Sequence, residues 1–276
     1  SGKGKIVKKL DYIVRQLKEK FDVVDVYATK CSGDMERAAR EAVGKYDVIV
    51  FSGGDGSVNE IVQGIGGADD APALGYIPCG TVNDIAHTLG IPRKIRGAVK
   101  TIVSGETAMV DCMQINDRYA MYVVAAGAFT SATYNTPQSK KKQIGRIAYG
   151  LEGIKKNMKF DVFDITVRCP DEIVHTDSVF VSIMNGRYVA GLKMNKFSSM
   201  CDGKLELAII KQKKNPNLFK KIRAFIALAR LFLLGYRVKE KQIIRYEGDY
   251  FEIDSQDGIV WNFDGEKGLE GKVVVR

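Results

Sequence analysis

Long apolar runs are missing from this sequence. Its greasiest segment, Ala224–Leu234, is interrupted by Arg230. No stretch reaches the roughly 18 uninterrupted apolar residues of a membrane-spanning helix, and no leader peptide pattern stands at the start. Histidine is nearly absent: only His87 and His175 occur, which argues against a His-rich metal site and against a serine–histidine hydrolase. Cysteine is sparse and scattered, with Cys31, Cys79, Cys112, Cys169 and Cys201 showing no CxxC spacing. An odd count in a chain of this size fits neither a disulfide framework nor a zinc cluster, so reduced, cytoplasmic thiols are expected. Acidic charge is also short: 33 Asp and Glu face 42 Lys and Arg, a formal charge of +9. That excess calls for an anionic partner, whether nucleic acid, nucleotide or acidic membrane surface. Nucleic acid finds no support, because there is no helix-turn-helix, RNP motif or aromatic-interleaved basic strand.

What is present is a globular composition, 45% hydrophobic and 27% charged over 276 residues, long enough for two domains. Ile6, Leu10, Ile13, Leu17 and Phe21 recur at helical spacing. Val23–Tyr27 reads as a strand, Ala38–Val43 as helix and Asp47–Phe51 as a buried parallel strand. Val58–Ile65, Val82–Leu89 and Gly97–Val103 read as helices, with a strand at Ala73–Ile77. This alternation implies a parallel sheet covered by helices. From about Met109 the rhythm turns to β. Val110–Ile115 and Tyr119–Ala125 flank the turn pair Asn116-Asp117. Phe160–Arg168, Val174–Met184, Lys204–Ile210, Gln242–Tyr246, Tyr250–Ile253 and Gly258–Phe263 follow. Helical insertions fall near Lys141–Lys156 and Leu218–Leu234. The expected fold class is α/β plus β. An N-terminal nucleotide-binding domain, residues 1–112, precedes a C-terminal antiparallel β-sandwich, residues 113–276, whose tail could return to the first domain.

Two strand-to-helix turns carry the chemistry. Gly53-Gly54-Asp55-Gly56 leads into a helix; consecutive glycines let backbone N–H groups approach an anion, and the helix presents its positive end. Asp55 beside a phosphate calls for a cation or a hydroxyl proton between them. Pro78-Cys79-Gly80-Thr81-Val82-Asn83-Asp84 also follows a buried strand. Parallel strands put both turns at one carboxyl edge, where ligands bind. Thr81 could donate to a phosphate, and Asp84 suits either a metal or the dipole of its own helix.

These turns, with Asp264-Gly265-Glu266 later, make the sequence similar to the diacylglycerol kinase catalytic-domain family, and in particular to bacterial lipid kinases of the DgkB and YegS type. The resemblance covers essentially the whole chain. It implies an ATP- and Mg²⁺-dependent kinase phosphorylating the hydroxyl of diacylglycerol, with its active site in a cleft between two domains. It also implies that Ser1-Gly2-Lys3 is the tail of an Asn-Pro-x-Ser-Gly-Lys nucleotide loop whose strand is missing from the given sequence. Nucleotide contacts carried over are Ser1, Gly2, Thr29, Gly53, Gly54, Asp55, Gly56, Ser57, Asn59 and Thr81. The catalytic Mg²⁺ network falls on Asp55, Asp84 and Asp111. Asp264 is the implied base with Glu266 near the metal, the two roles being exchangeable; alone, Asp264-Gly265 reads as a hairpin turn. Ser199, Asp202 and Lys204 match a structural metal loop, or a plain Asp-Gly turn.

The basic excess concentrates at Lys140, Lys141 and Lys142, which are expected to meet membrane or phosphate, joined by Lys3. The apolar segment Leu218–Leu234 is expected to pack into the core, being too apolar to stay exposed. A peripheral position at the inner membrane face and a homodimer are further expectations. A kinase for a sphingoid base or a soluble acceptor, as in NAD kinases, which share the glycine turn, is the enzymatic alternative. A non-catalytic nucleotide-binding regulator is the other.

Overall fold

The computed structural model describes residues 6–128, 161–169, 172–255 and 257–276. The chain divides into two compact units, Ser1–Val110 and Asp111–Arg276. Ser1, Gly2 and Lys3, the basic run Lys140–Lys142 and the helix expected near Lys141–Lys156 lie outside the described residues.

In the first unit a 3-10 turn at Val7–Lys9 runs into α1 (Leu10–Lys18), whose Ile13 and Leu17 are buried as the helical spacing predicts. Next come α2 (Asp34–Ala42), β1 (Val48–Gly53), α3 (Asp55–Ile65), β2 (Ala73–Pro78), α4 (Asp84–Thr88) and α5 (Ile95–Ser104). β1 and β2 pair in parallel, with Gly53 opposite Pro78, so both strands end at the same edge. Ile13, Leu17, Ile77, Ala98 and Val99 form one core cluster of this unit. Helices α2 and α3 approach closely at Gly64, where a Cβ would collide with the Glu36 carbonyl. Val23–Tyr27 is not a strand. Val23, Val26 and Tyr27 are more than half exposed, and the segment joins no ladder with β1 or β2. A β-rich composition makes a strand only where a neighbour supplies hydrogen bonds and covers a face.

The second unit is built on one large antiparallel sheet. Its strands are β3 (Met113–Ile115), β4 (Arg118–Ala120), β5 (Val123–Gly127), β6 (Phe163–Arg168) and β7 (Ile173–Met184). β8 (Tyr188–Val189) and β9 (Leu192–Lys193) form a separate hairpin. β10 (Leu205–Lys211), α6 (Leu218–Leu234), β11 (Ile243–Gly248), β12 (Phe251–Asp254), β13 (Val260–Phe263), β14 (Glu266–Glu270) and β15 (Val273–Val275) complete it. The order is β14-β13-β5-β7-β6-β12-β15-β3-β4, with β10 added to β7 and β11 to β10. β7 is long because it serves three partners, β6, β5 and β10. Alternate residues of these strands meet in one core, including Ile165, Val167, Ile183, Leu207, Ile253 and Trp261, the period-two signature of a sandwich. Asn116 adopts a positive φ of 52° in the two-residue β3–β4 turn. The expected strand Tyr119–Ala125 is broken at Met121-Tyr122 because those backbone N–H groups turn to a side chain instead of a neighbouring strand.

Candidate active site

In the first unit the two glycine turns form one locked assembly. Asp55, Gly56 and Ser57 are the first turn of α3 rather than a loop. The Gly53 carbonyl accepts N–H groups from Cys79 at 2.7 Å and Gly80 at 3.0 Å. Gly54 and Gly80 then face each other so closely that a Cβ on Gly80 would lie 2.5 Å from the Gly54 Cα and from Asn83 Oδ1. Glycine is required there by contact, whatever the backbone angles. Asn83 clasps the second turn: its Oδ1 accepts from Gly80 N–H at 2.9 Å and its Nδ2 donates to the Gly80 carbonyl at 3.1 Å. It does so at φ 61°, a left-handed conformation that asparagine tolerates better than most side chains.

Asp55 ties the turns together. Its Oδ2 accepts from Asn83 N–H at 3.0 Å and its Oδ1 from Ile85 N–H at 3.1 Å. The carboxylate therefore sits at the start of α4, where the exposed N–H groups favour negative charge. Asp84 is 1% exposed beside it. The Tyr76 hydroxyl donates to the Gly53 carbonyl and to Asn83 Oδ1, each at 3.3 Å. Burial first, and then the charges of Asp55, Cys79 and Asp84, push its pKa far above the ordinary tyrosine value. It is thus a fixed donor beneath the turns. Gly56 and Thr81 are exposed, Ser57 is half-buried and Asn59 is buried. Thr29 is exposed in the segment before α2; that segment is held to α3 by Glu60, which accepts from Ser32 Oγ at 3.3 Å and Gly33 N–H at 3.2 Å.

In the second unit Asp264 and Gly265 form the tight β13–β14 turn, at φ 52° and 94°. Asp264 is 4% exposed. Its Oδ2 accepts from Met121 N–H at 2.6 Å, and its Oδ1 from Tyr122 and Val123 N–H at 3.0 Å each. Those three donors are the ones freed by the break between β4 and β5. Glu266 opens β14 and is exposed. Neighbouring Cys112 is pushed up to about 12 by burial and by the Asp264 charge.

Asp111 and the Ser199–Lys204 turn come together in this unit. Asp111 Oδ2 accepts from Asp202 N–H at 2.9 Å and Gly203 N–H at 2.8 Å, while Asp111 N–H donates to the Met200 carbonyl at 2.6 Å. Within the turn, Asp202 Oδ1 accepts from Lys204 N–H at 3.1 Å and Ser199 Oγ from Cys201 N–H at 3.2 Å. Among the described residues no group of three or more His, Cys, Asp or Glu side chains is placed to hold a metal ion. A loop that binds through backbone carbonyls, or a metal held partly through water, needs no such group.

Sequence reasoning missed two structural contributors, Asn83 as the clasp and Tyr76 as the donor beneath it. Asn83 had a legible signal, an asparagine three residues after a glycine at a helix start. Tyr76 had none, since a tyrosine in a buried strand reads as core.

Comparison with known proteins shows what the chain is similar to. A family model described as diacylglycerol kinase catalytic domain matches residues 1–115. A second, described as YegS C-terminal NAD kinase beta sandwich-like domain, matches residues 122–275. The chain is 30% identical over 279 residues to a diacylglycerol kinase of Bacillus subtilis (strain 168), covering 99% of this chain and 90% of the relative. It is 31% identical over 244 residues to one from Staphylococcus epidermidis (strain ATCC 12228 / FDA PCI 1200), covering 88% and 75%. A solved structure from Bacillus anthracis str. Sterne, provisionally described as a diacylglycerol kinase, superimposes with a TM-score of 0.83 at 25% identity. It covers 100% of this chain and 88% of that one.

Proposed function

The chain belongs to the bacterial diacylglycerol kinase family of the DgkB/YegS type and is a kinase, and from that premise we propose that it phosphorylates diacylglycerol to phosphatidic acid with ATP and Mg²⁺. One observation carries the reading: two glycine turns at one sheet edge, locked by Asp55, with a helix N-terminus behind each. The close Gly54–Gly80 approach leaves backbone rather than side chain at that edge, which fits a phosphate chain. The nucleotide would be held by Gly53, Gly54, Gly56, Ser57 and Thr81, with Asn59 and Thr29 beside them. Asp55 and Asp84 in the first unit and Asp111 in the second would offer oxygens to Mg²⁺, a hard cation that keeps several waters. When bound, that ion neutralises charge on the phosphates.

In this mechanism the lipid hydroxyl oxygen bonds to the γ-phosphorus as the bond from phosphorus to the ADP oxygen breaks, and the hydroxyl proton passes to a carboxylate. We assign that acceptor to Glu266 and a positioning role to Asp264, exchanging the roles expected first. Three backbone donors on a buried carboxylate make Asp264 an anchor for the β4–β5 break, whereas the Glu266 carboxylate is exposed and can meet a hydroxyl. Ser199, Asp202 and Lys204 are proposed as a structural cation loop that Asp111 buttresses.

The test is transfer of radiolabel from ATP to diacylglycerol in mixed micelles, with and without Mg²⁺. Metal-dependent labelling of lipid is expected. Labelling of NAD with none of lipid would overturn the reading.

A further inference from the structure

Helix α6 has two apolar faces, and only one is covered. Ala224, Ala227, Leu228 and Leu231 follow the i, i+3, i+4, i+7 pattern and are buried against β10. Phe232 reinforces that contact, its ring 5.7 Å from Phe180. The opposite face carries a second row, Phe219, Ile222, Ile226 and Leu233, separated by three, four and seven residues. All four are exposed, Phe219 and Leu233 each by 66%. A further exposed aromatic stands in the loop that the end of the helix is joined to. Tyr236 N–H donates to the Met194 carbonyl at 2.7 Å, and in that adjoining loop Phe197 is 64% exposed under the Arg237 guanidinium, 4.2 Å from its ring centroid. An exposed apolar row of this size marks an interaction site.

The surrounding charge selects the occupant. Between Lys211 and Lys241 the single acidic residue is Glu240, and it pairs with Arg230 at 2.8 Å. Arg223 borders the row, its guanidinium 5.9 Å from the Phe219 ring centroid, and Lys220 and Lys221 add charge within the same first turn of the helix. That is the disposition of cations that lay their stems along apolar surface and reach for an anionic layer. A second copy would double the basic excess of this segment, whereas lipid phosphates complement it. No helix among the described residues is long and apolar enough to cross a membrane, so α6 could only lie in the interface.

We propose that the outward face of α6, extended by Phe197, docks in the plane of an anionic bilayer with Phe219, Ile222, Ile226 and Leu233 buried among the acyl chains. The lipid occupant is identified through the lipid-kinase reading, on which this step rests, but binding is measured without catalysis. The probe is a vesicle of equal parts phosphatidylcholine and phosphatidylglycerol. Replacing Ile222, Ile226 and Leu233 by serine should lower co-sedimentation at least about thirtyfold, from a threefold to tenfold loss per side chain. Circular dichroism should show the helix retained, since Ala224, Ala227, Leu228 and Leu231 still hold it on the sheet, while Ile222 and Ile226, 39% and 45% exposed, allow a modest fall in melting temperature. Lys220→Glu with Lys221→Glu and Arg223→Glu should abolish the preference for anionic vesicles and its salt sensitivity.

Unchanged co-sedimentation of the serine variant would overturn the proposal. So would a wild-type dimer that the serine variant dissolves while vesicle binding persists, because the face would then serve self-association. Hydrogen exchange of the wild-type chain gives an answer that does not depend on the variants folding. Vesicles should slow exchange across residues 218–234, and slowing confined elsewhere would refute the assignment. Phosphorylation of a short-chain, water-dispersed diacylglycerol separates the two readings. Vesicle binding through α6 with no phosphorylation of that lipid would sink the kinase substrate while leaving the docking surface standing.

Discussion

Asp55 supplies the sharpest quantitative test, because its two oxygens each accept one backbone N–H from the opposite turn. Asparagine has nearly the same shape but only one oxygen, so Asp55→Asn leaves either the Asn83 or the Ile85 N–H facing an amide that cannot accept it. An orphaned, partly buried donor costs about 1–3 kcal/mol. Removing the negative charge from the start of α4 adds about 0.3–1 kcal/mol, so the clasp should weaken by about 1.3–4 kcal/mol. At roughly 1.4 kcal/mol per factor of ten, the Asn83 and Ile85 amides should exchange about tenfold to several hundredfold faster with deuterium. Amides in β7 should be unaffected, because they belong to the other unit. The assay is native-state hydrogen exchange read by NMR, with nucleotide affinity measured in parallel and expected to fall. Wild-type exchange at both amides would refute the view that Asp55 holds the two turns together, and would leave it as a metal ligand alone.

Glu266→Gln should cut lipid phosphorylation by about 10²–10⁴ with unchanged urea unfolding, whereas Asp264→Asn should lower stability by about 1–3 kcal/mol through an orphaned donor at Met121–Val123; full activity of the Glu266 variant would return the base to Asp264. Gly80→Ala places a methyl 2.5 Å from the Gly54 Cα and should abolish nucleotide binding, measured by equilibrium dialysis; a variant that binds normally would show that the turns can part. Because burial pushes Cys112 up to about 12, its reactive thiolate is scarce at pH 8 and appears only as pH rises toward that value. Iodoacetamide at pH 8 should therefore modify exposed Cys201 and spare half-buried Cys112, and equal labelling by peptide mass mapping would contradict that shift.

Local patterns were legible wherever neighbours in sequence settle the structure. The apolar run before Gly53 and the glycines after it announce a buried strand feeding a helix, and β1 with α3 forms there. Helical spacing located α1, α2, α5 and α6, and β-rich segments punctuated by Gly, Asn and Asp located most strands of the second unit. Val23–Tyr27 misled because strand propensity carries no information about whether a partner is present. The short strands β8, β9 and β15 gave too few residues for a period-two pattern to register.

By itself, then, the sequence determined the two kinds of architecture, the shared edge of the glycine turns and the chemical class of the acidic residues, all properties of residue type and spacing along a few turns of chain. Only the tertiary structure decided which acids are spoken for. Asp264 is occupied by N–H groups of Met121, Tyr122 and Val123, and Asp111 by those of Asp202 and Gly203. Such bonds join segments about 90 to 140 residues apart, and no local pattern encodes them. The same holds for α6. Its residues are apolar nearly all round, so the expectation of core packing was right for Ala224, Ala227, Leu228 and Leu231 and wrong for Phe219, Ile222, Ile226 and Leu233. A helix can press only one face on a sheet, and which face that is depends on the sheet.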